Sequence, residues 1–215
     1  MFKDFKNNLS TIILCGGSGK RLYPLTKKTP KPLIKIRNKE ILSYIIDHLN
    51  YYELKNILVS TGFKHKAFKN FFSKKTKYKK KIDLIFTGKN TDILKRITKC
   101  EKYLNKYVMI CYGDTLVDID IDKLINFFLK NKEKIILSTY NYRSQYGLLK
   151  IQSDGKVKSF KEKPDLGLFF NIGFFIMKKE HLKNLRSYIH KGKHITVNTL
   201  NELREAKKNI NHLKK

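Results

Sequence analysis

The stretch LCGGSGKRL, residues 14–22, follows an apolar run that predicts a buried strand over Thr11–Leu14. Three glycines between residues 16 and 19 allow the backbone to adopt positive φ and to approach a ligand without obstruction by Cβ atoms. Successive amide N–H groups can then converge on phosphate oxygens, and Lys20 and Arg21 add positive charge beside them. The stretch indicates a phosphate-binding loop, although glycines alone would also suit an ordinary turn.

Two familiar phosphate-binding motifs do not fit this loop. A P-loop needs a glycine five residues before its Gly-Lys pair and Ser or Thr after it, but Leu14 and Arg21 occupy those positions. A dinucleotide fingerprint that begins at Gly17 would need its third glycine where Leu22 stands. The sequence therefore fits neither an ordinary P-loop kinase nor a dehydrogenase.

A second motif follows the loop, with prolines at positions 30 and 32 around Lys31. Each proline fixes its own φ and disfavours the helical conformation for the residue before it. We expect Lys31 to lie on a stiff extended segment, as suits a cation that must be held in place.

The rest of the chain alternates apolar runs with amphipathic segments. This alternation predicts an α/β fold, in which a mixed and mainly parallel sheet carries helices on both faces and ligands bind at the carboxyl ends of the strands. The predicted strands are 56–60, 82–86, 107–111, 134–139 and 171–177, and the predicted helices are 39–51, 65–72, 92–104, 121–131 and 200–211.

The pattern changes after about residue 140. Asp154–Gly155 separates two runs of alternating residues, 147–151 and 156–161, and predicts a β-hairpin. We find no internal repeat and no low-complexity linker. We therefore expect one domain over 1–215.

The composition is strongly basic, with 47 Lys and Arg against 18 Asp and Glu and a net charge of +29. This charge would favour any polyanion, but the lysines are spread along the whole chain, as a general compositional bias would leave them. The one dense run, Lys74–Lys81, is typical of a solvated loop or helix face and has a single aromatic residue, Tyr78. Nucleic-acid binding is therefore a minor alternative.

The three cysteines, Cys15, Cys100 and Cys111, are widely spaced and do not describe a disulfide framework. The first ten residues have no continuous apolar segment of the kind a signal peptide needs, and no stretch approaches the length of a membrane span. We expect a soluble protein of the reducing cytoplasm, without a membrane partner.

Together, the two motifs resemble the sugar nucleotidyltransferase family. Its signature, G-G-x-G-T-R-L-x-P-L-T-x-x-x-P-K-P, matches Gly16–Pro32 except that Lys20 replaces Thr. The resemblance continues in sequence order through Gly113–Asp114, Phe160–Pro164 and Asn171–Gly173. It covers most of the chain, from about residue 11 to 177. It implies a single Rossmann-like domain over 1–215, with a nucleotide-binding part at about 10–140 and a sugar-phosphate-binding part at about 141–215.

The resemblance implies a reaction between an NTP and a sugar 1-phosphate that yields an NDP-sugar and pyrophosphate. It implies catalytic roles for Arg21, Lys31 and Asp114, and a Mg²⁺ ion held by Asp114. The nucleotide-binding residues that it implies are Leu14, Gly16, Gly17, Gly19, Lys20, Arg21, Thr87, Thr91 and Gly113. Those implied for the sugar phosphate are Tyr146, Gly147, Glu162, Lys163, Asn171 and Gly173.

The subgroup most similar by eye is glucose-1-phosphate cytidylyltransferase, through Tyr112–Asp114, Val117–Ile121 and Leu94–Arg96. This resemblance favours CTP, with glucose 1-phosphate or a related sugar. The sequence departs from the subgroup at Asp92 and Ile93, which replace two glycines near the nucleotide base. It departs again at Asn198, which replaces an aspartate that supplies the metal with a second carboxylate.

These departures leave two alternatives open. One is a guanylyl- or thymidylyltransferase of the same family. The other is a catalytically weak relative that binds a nucleotide or sugar nucleotide in a regulatory role. Assembly into a homo-oligomer is also left open, since many members of the family assemble.

Overall fold

Seven strands form the central sheet of the computed structural model, which describes residues 2–79, 82–131, 135–180, 185–189, 194–197 and 199–210. The strands are β1 (Leu9–Cys15), β2 (Lys35–Ile36), β3 (Lys39–Glu40), β4 (Asn56–Thr61), β5 (Ile82–Phe86), β6 (Tyr107–Tyr112), β7 (Thr115–Val117), β8 (Ile135–Arg143), β9 (Leu148–Ile151), β10 (Val157–Lys161), β11 (Asp165–Lys178), β12 (Leu185–Ile189) and β13 (His194–Thr196). The helices are α1 (Phe2–Asn7), α2 (Leu25–Lys28), α3 (Ile41–Tyr51), α4 (His65–Lys74), α5 (Thr76–Lys79), α6 (Ile93–Cys100), α7 (Ile121–Asn131) and α8 (Leu200–Asn209).

The central sheet has the order β12–β8–β11–β6–β1–β4–β5. Its pairs are parallel except at β11, which lies antiparallel to both β6 and β8. The carboxyl ends of β1, β4, β5 and β6 therefore meet at one edge, where ligands bind in folds of this kind. The predicted mixed, mainly parallel sheet is confirmed.

Strand β1 shows why helices cover both faces of the sheet. Successive side chains of a strand point to opposite faces. Leu9 and Ile13 join the larger apolar cluster, which contains buried residues of α3, α4 and α7. Ile12 packs on the other face with Cys100 of α6. Because both faces of β1 are covered by apolar residues, the strand reads in the sequence as a continuous apolar run.

The predicted elements are present, with shifted ends. The first predicted helix begins at Ile41 because Lys39–Glu40 forms β3 and pairs with β2. The helix predicted over 92–104 ends at Cys100 and continues as a 3₁₀ turn at Glu101–Tyr103. The strand predicted over 171–177 begins earlier, at Asp165.

The predicted hairpin is confirmed as the antiparallel pair β9–β10. Gly155 lies in its turn with φ of +86°, and the Lys156 amide donates to the Asp154 carboxylate at 3.1 Å. The pair forms a two-stranded sheet of its own, apart from the central sheet. The division of 1–215 into a nucleotide part and a sugar-phosphate part stays a prediction.

The basic run at 74–81 is described up to residue 79. Within it, Tyr78 is buried, and its hydroxyl donates to Asp47 at 2.9 Å. The described part of the run is therefore anchored to α3 through Tyr78, while the side chain of Lys77 stays largely exposed.

Candidate active site

The glycine loop leaves the end of β1 and closes against α2. Gly19 has φ of +66°, in the left-handed region that favours glycine, and a Cβ there would lie 2.9 Å from Cγ2 of Thr26. The buried Thr26 hydroxyl donates to the Gly19 carbonyl at 2.8 Å. A 3₁₀ turn over Lys20–Leu22 follows and presents two basic side chains at the loop. The contact with Thr26 fixes the shape of the loop.

Lys31 lies on a 3₁₀ turn, Lys31–Leu33, so the expectation of an extended segment is wrong at this residue. Pro30 is extended, and its carbonyl accepts from the Leu33 amide at 2.9 Å. Pro32 fits the turn because its fixed φ is compatible with a helical turn and the first amides of a turn need no internal partner. The prolines hold the lysine in place by a turn rather than by an extended chain.

The side chain of Lys31 is buried and pairs with Asp114. Its Nζ lies 2.6 Å from Oδ2 of Asp114, and 7% of the residue's surface is exposed. Asp114 follows β6 and is about one third exposed. The sequence predicted catalytic roles for both residues, and the structure joins them in one ion pair although 83 positions separate them.

Gly113 brings Asp114 against the glycine loop. Its amide donates to the Leu14 carbonyl at 3.0 Å. A Cβ on Gly113 would lie 2.4 Å from Sγ of Cys15 and 2.8 Å from the Leu14 oxygen. A glycine is therefore needed for the close approach of the two strand ends.

A cleft of about 340 Å³ opens between these groups. Most of the residues predicted for the nucleotide phosphates share its walls. Its lining residues are Leu14, Cys15, Gly17, Ser18, Gly19, Lys20, Arg21, Lys31, Pro32 and Asp114. The glycine loop, three cations and one carboxylate line it, and groups of this kind can hold a polyphosphate.

The chemistry of the cleft suits Mg²⁺ only with help from a substrate. Among the residues that the structure describes, no group of three His, Cys, Asp or Glu side chains could hold a metal. Mg²⁺ commonly binds one or two carboxylates, with phosphates and waters as its other ligands, so Asp114 fits that pattern. The second predicted ligand, Asn198, lies outside the described residues.

The two cysteines next to the cleft are buried and free. Burial raises the pKa of Cys15 well above its ordinary value, and burial likewise raises the pKa of Cys111. Both thiols therefore stay protonated at neutral pH and pack as small apolar side chains.

The side of the site predicted for the base is built around β5 and α6. The Thr87 side chain is buried, and its hydroxyl contacts the Thr61 carbonyl, Ser60 and Arg96 at 2.9, 2.9 and 2.7 Å. Thr91 donates to the Thr87 carbonyl at 2.9 Å. Both threonines stay predicted nucleotide-binding residues, and their hydroxyl groups are engaged with the protein itself.

The departures at residues 92 and 93 have a local structural role. Asp92 is the N-cap of α6, and its carboxylate accepts from the Lys95 amide at 2.8 Å. This contact satisfies one of the free amides at the helix start. Ile93 is 48% exposed.

Arg96 is a buried residue that the sequence did not single out. It was matched to the cytidylyltransferase subgroup only as part of Leu94–Arg96. Arg96 and Cys100, four positions apart, are the buried residues of the amphipathic helix α6. A charged residue is rarely buried, so an arginine on this face of the helix was the signal that could have indicated a special role.

The residues predicted for the sugar phosphate form two groups. In the first, Gly147 packs against Phe160 and Glu162, so that a Cβ on Gly147 would lie 2.6 Å from the ring and 2.9 Å from the carboxylate. Lys163 beside them has φ of +43°, which is uncommon for a residue with a side chain. Tyr146 is 76% exposed.

The second group lies against Tyr112, two residues before Asp114. Asn171 donates to the Tyr112 hydroxyl at 3.2 Å and accepts from the Gly173 amide at 2.7 Å. Gly173 has φ of +82°, and a Cβ there would lie 2.6 Å from the Tyr112 ring. These contacts place Asn171 and Gly173, which lie on β11, next to the end of β6, the strand that precedes Asp114.

None of the helices among the described residues has the length and apolarity to cross a membrane. A cytoplasmic location and a homo-oligomer stay predictions.

Comparison with known proteins shows the family by sequence and the fold by structure. A family model described as nucleotidyl transferase matches residues 10–214. The chain is 27% identical to a probable glucose-1-phosphate cytidylyltransferase of Bacillus subtilis, over 93% of this chain and 95% of that protein. It is 30% identical to a D-glycero-alpha-D-manno-heptose 1-phosphate guanylyltransferase of Campylobacter jejuni, over 80% of this chain and 77% of that protein. The crystal structure of HddC from Yersinia pseudotuberculosis superposes with a TM-score of 0.73 at 21% identity, over 94% and 99% of the two chains, and shows the shared fold.

Proposed function

Because the chain belongs to the nucleotidyl transferase family, and its matched relatives are sugar-phosphate nucleotidyltransferases, we propose that it makes a CDP-sugar from CTP and a sugar 1-phosphate. We propose glucose 1-phosphate, or a related sugar, as the acceptor. The observation that carries the proposal is the ion pair between the buried Lys31 and the partly exposed Asp114 at the wall of the glycine-loop cleft. This arrangement offers a fixed cation and a carboxylate at the place where a polyphosphate can bind.

The reaction needs no general base. A phosphate oxygen of the sugar 1-phosphate attacks the α-phosphorus of the nucleotide, and the bond between that phosphorus and the bridging oxygen to the β-phosphate breaks. Pyrophosphate leaves with the electron pair of that bond. The nucleophile is already an anion, so the barrier consists mostly of repulsion between phosphates and of charge that grows on the leaving group. Fixed cations and oriented amides lower such a barrier.

The residues that would act on the substrates lie in two regions of the chain, the glycine-loop region and the segment after β10. The amides of residues 16–19 and the guanidinium of Arg21 would bind the triphosphate, with Arg21 favouring the departure of pyrophosphate. Lys31 would stabilise the α-phosphate. Glu162 would bind the sugar hydroxyls, and Lys163 would orient the incoming phosphate.

Asp114 would also hold the cofactor that we propose, Mg²⁺. When bound, this ion would supply positive charge that offsets the repulsion between phosphates. The Lys31 ammonium lies 2.6 Å from the Asp114 carboxylate. A nucleotide phosphate offers Lys31 a second anion, so binding of the nucleotide would free part of the Asp114 carboxylate for the metal.

A guanylyltransferase is the second candidate. It is supported by the Campylobacter jejuni relative, which covers most of this chain at slightly higher identity than the Bacillus subtilis relative. The two candidates share the reaction and differ in the base. The third alternative, a weak relative with a regulatory role, would bind nucleotide without turnover.

A pyrophosphate-release screen tests the proposal. The four NTPs and dTTP are crossed with a panel of sugar 1-phosphates in the presence of Mg²⁺, and we expect the highest turnover with CTP. If GTP is the single nucleotide that supports turnover, the result contradicts the CTP proposal and supports a guanylyltransferase. Nucleotide binding without turnover in any combination would contradict both and favour the regulatory relative.

Two substitutions test the assignment of residues. Arg21→Ala and Asp114→Ala should each abolish pyrophosphate release, because each removes a charge from the cleft. The matched controls are Lys55→Ala and Asp83→Ala, which remove exposed charges outside the cleft and should leave turnover unchanged. Wild-type turnover in either cleft variant would contradict the scheme.

A further inference from the structure

Arg96 connects three loops at the edge of the sheet where the nucleotide is proposed to bind. Its Nη2 donates to the carbonyls of Gly16 and Lys89 at 3.2 and 3.3 Å. Its Nη1 donates to the Thr87 hydroxyl at 2.7 Å and to the Thr61 carbonyl at 3.4 Å. These acceptors follow or end β1, β4 and β5, so a single side chain on α6 ties together the ends of three adjacent parallel strands.

The fit around the guanidinium requires glycines on two of these loops. A Cβ on Gly16 would lie 2.0 Å from Nη1 of Arg96, and one on Gly62 would lie 2.9 Å from the same atom. Arg96 is 6% exposed. The guanidinium thus occupies a space that two missing side chains leave open, and its planar fork matches the divergent acceptors around it.

Arg96 fixes the direction of an amide in the glycine loop. The Gly16 carbonyl accepts from both Arg96 and the Phe63 amide, each at 3.2 Å. In a trans peptide the C=O and the next N–H point in opposite directions. Because the Gly16 oxygen is held towards Arg96, the Gly17 N–H points away from Arg96, and Gly17 lines the cleft.

Among the described residues, the guanidinium of Arg96 has no close carboxylate partner. Within the described ranges no Asp or Glu oxygen lies within ion-pair distance of it, and the nearby Asp92 carboxylate contacts Lys95 instead. Burial lowers the pKa of Arg96, while the field of Asp92 opposes that effect. A buried cation that is solvated by carbonyl dipoles favours an anion on the other side of the loop.

We infer that Arg96 is a positioning residue for the nucleotide: it aims the glycine-loop amides at the triphosphate and holds the loop of residues 87–91 in register with them. This inference rests on the proposed nucleotidyl transfer. It assigns Arg96 to one substrate, the nucleoside triphosphate, and gives it no contact with the sugar phosphate.

Direct binding of CTP and of glucose 1-phosphate, measured separately by calorimetry, tests the inference. In Arg96→Met, which keeps much of the side-chain length but removes the charge and the donors, we expect CTP to bind about ten- to a hundred-fold more weakly. Binding of glucose 1-phosphate should stay within about two-fold of wild type. Arg96→Lys keeps the charge but not the fork, so it should restore part of the CTP affinity.

The matched control is Lys95→Met, one residue away on the same helix, where the side chain is 77% exposed and pairs with Asp92. It should bind both ligands as wild type does. CTP affinity within about two-fold of wild type in Arg96→Met would overturn the inference. An equal loss for both ligands with a lowered melting temperature would also overturn it, because it would show a structural role alone.

Arg96→Lys decides the question if Arg96→Met does not fold: a folded lysine variant with CTP affinity equal to wild type overturns the inference, and a selective loss of CTP affinity supports it. Binding and turnover also separate this inference from the proposed function. Pyrophosphate release by the wild type with no selective effect at Arg96 would contradict the inference alone. A selective effect on CTP binding without wild-type turnover would contradict the proposed function alone.

Discussion

The molecule has a glycine-loop end, formed by residues 14–32 and 113–114, and a hairpin end, formed by residues 146–163. At the glycine-loop end, Lys31 and Thr26 are 7% and 0% exposed. At the hairpin end, Tyr146 and Phe160 are 76% and 60% exposed. The first end is built from strands of the central sheet that lie side by side, with glycines where their ends approach. The second relies on a two-stranded sheet of its own and on short contacts around residue 147. A pair of strands without further layers is only marginally stable by itself.

This difference in burial indicates how the two substrates are bound. At the glycine-loop end, the cation, the carboxylate and the loop are held in place by contacts within the protein. Preorganised charge is what a transfer between phosphates requires. The sugar end exposes its polar groups, so we expect its substitutions to change substrate affinity more than the chemical step.

Among the substitutions that compare the two ends, Lys31→Met should have the largest effect. The substitution removes the buried cation of the cleft and leaves Asp114 without its 2.6 Å partner. We expect turnover to fall by about a hundred- to a thousand-fold, as loss of one preorganised transition-state contact does. Steady-state pyrophosphate release measures it, with Lys35→Met on the exposed side of β2 as the control. A loss confined to the KM for the sugar phosphate would contradict the comparison.

Gly113→Ala should have the next largest effect. The added Cβ would meet the Cys15 sulfur at 2.4 Å and the Leu14 oxygen at 2.8 Å, so the ends of β1 and β6 must separate. We expect a stability loss of about 1–3 kcal/mol from overpacking, together with lower turnover because Asp114 moves away from the loop. Thermal unfolding and pyrophosphate release measure the two effects.

Gly17→Ala is the matched control for stability. A Cβ at Gly17 would have no atom within 4 Å. Its melting temperature should therefore equal that of the wild type. An equal loss of stability in both variants would show that the close approach at Gly113 is not what holds the two strand ends together.

Glu162→Gln probes the hairpin end and should have a smaller and more selective effect. The carboxylate lies beside Gly147, and the proposed role is to accept from sugar hydroxyls. An amide accepts less strongly than a carboxylate, so we expect the KM for glucose 1-phosphate to rise about ten-fold with the KM for CTP unchanged. Glu53→Gln, on the turn after α3, is the control. An equal rise in both KM values would contradict the division between the two ends.

The sequence predicted most of the framework of both ends. Strands such as Tyr107–Tyr112 are buried on both faces and therefore read as short apolar runs in the sequence. The pair Asp154–Gly155 indicated the hairpin turn, where Gly155 adopts a positive φ. The fixed spacing from Gly16 to Pro32 identified the family. These features are local in the chain, so a pattern can predict them.

The remaining features depend on contacts between distant residues. The bond from Arg96 to Gly16 spans 80 positions, and that from Lys31 to Asp114 spans 83. The turn at Lys31 also escaped prediction, because the same prolines suit an extended segment or the start of a helical turn. Tertiary packing selects between such alternatives, and a single sequence does not display it.

Tyr112→Phe should have the smallest effect, because it removes one contact between the two ends. The Tyr112 hydroxyl accepts from Asn171 at 3.2 Å, and loss of a neutral hydrogen bond costs about 0.5–1.5 kcal/mol. We expect the KM for glucose 1-phosphate to rise about three-fold, since Asn171 keeps its 2.7 Å bond to the Gly173 amide. Burial raises the pKa of Tyr112, so its hydroxyl stays protonated and the effect should be the same from about pH 6 to 9. Tyr51→Phe, on an exposed ring of α3, is the control. A change in turnover as large as that of Lys31→Met would mean that the two ends act as one unit.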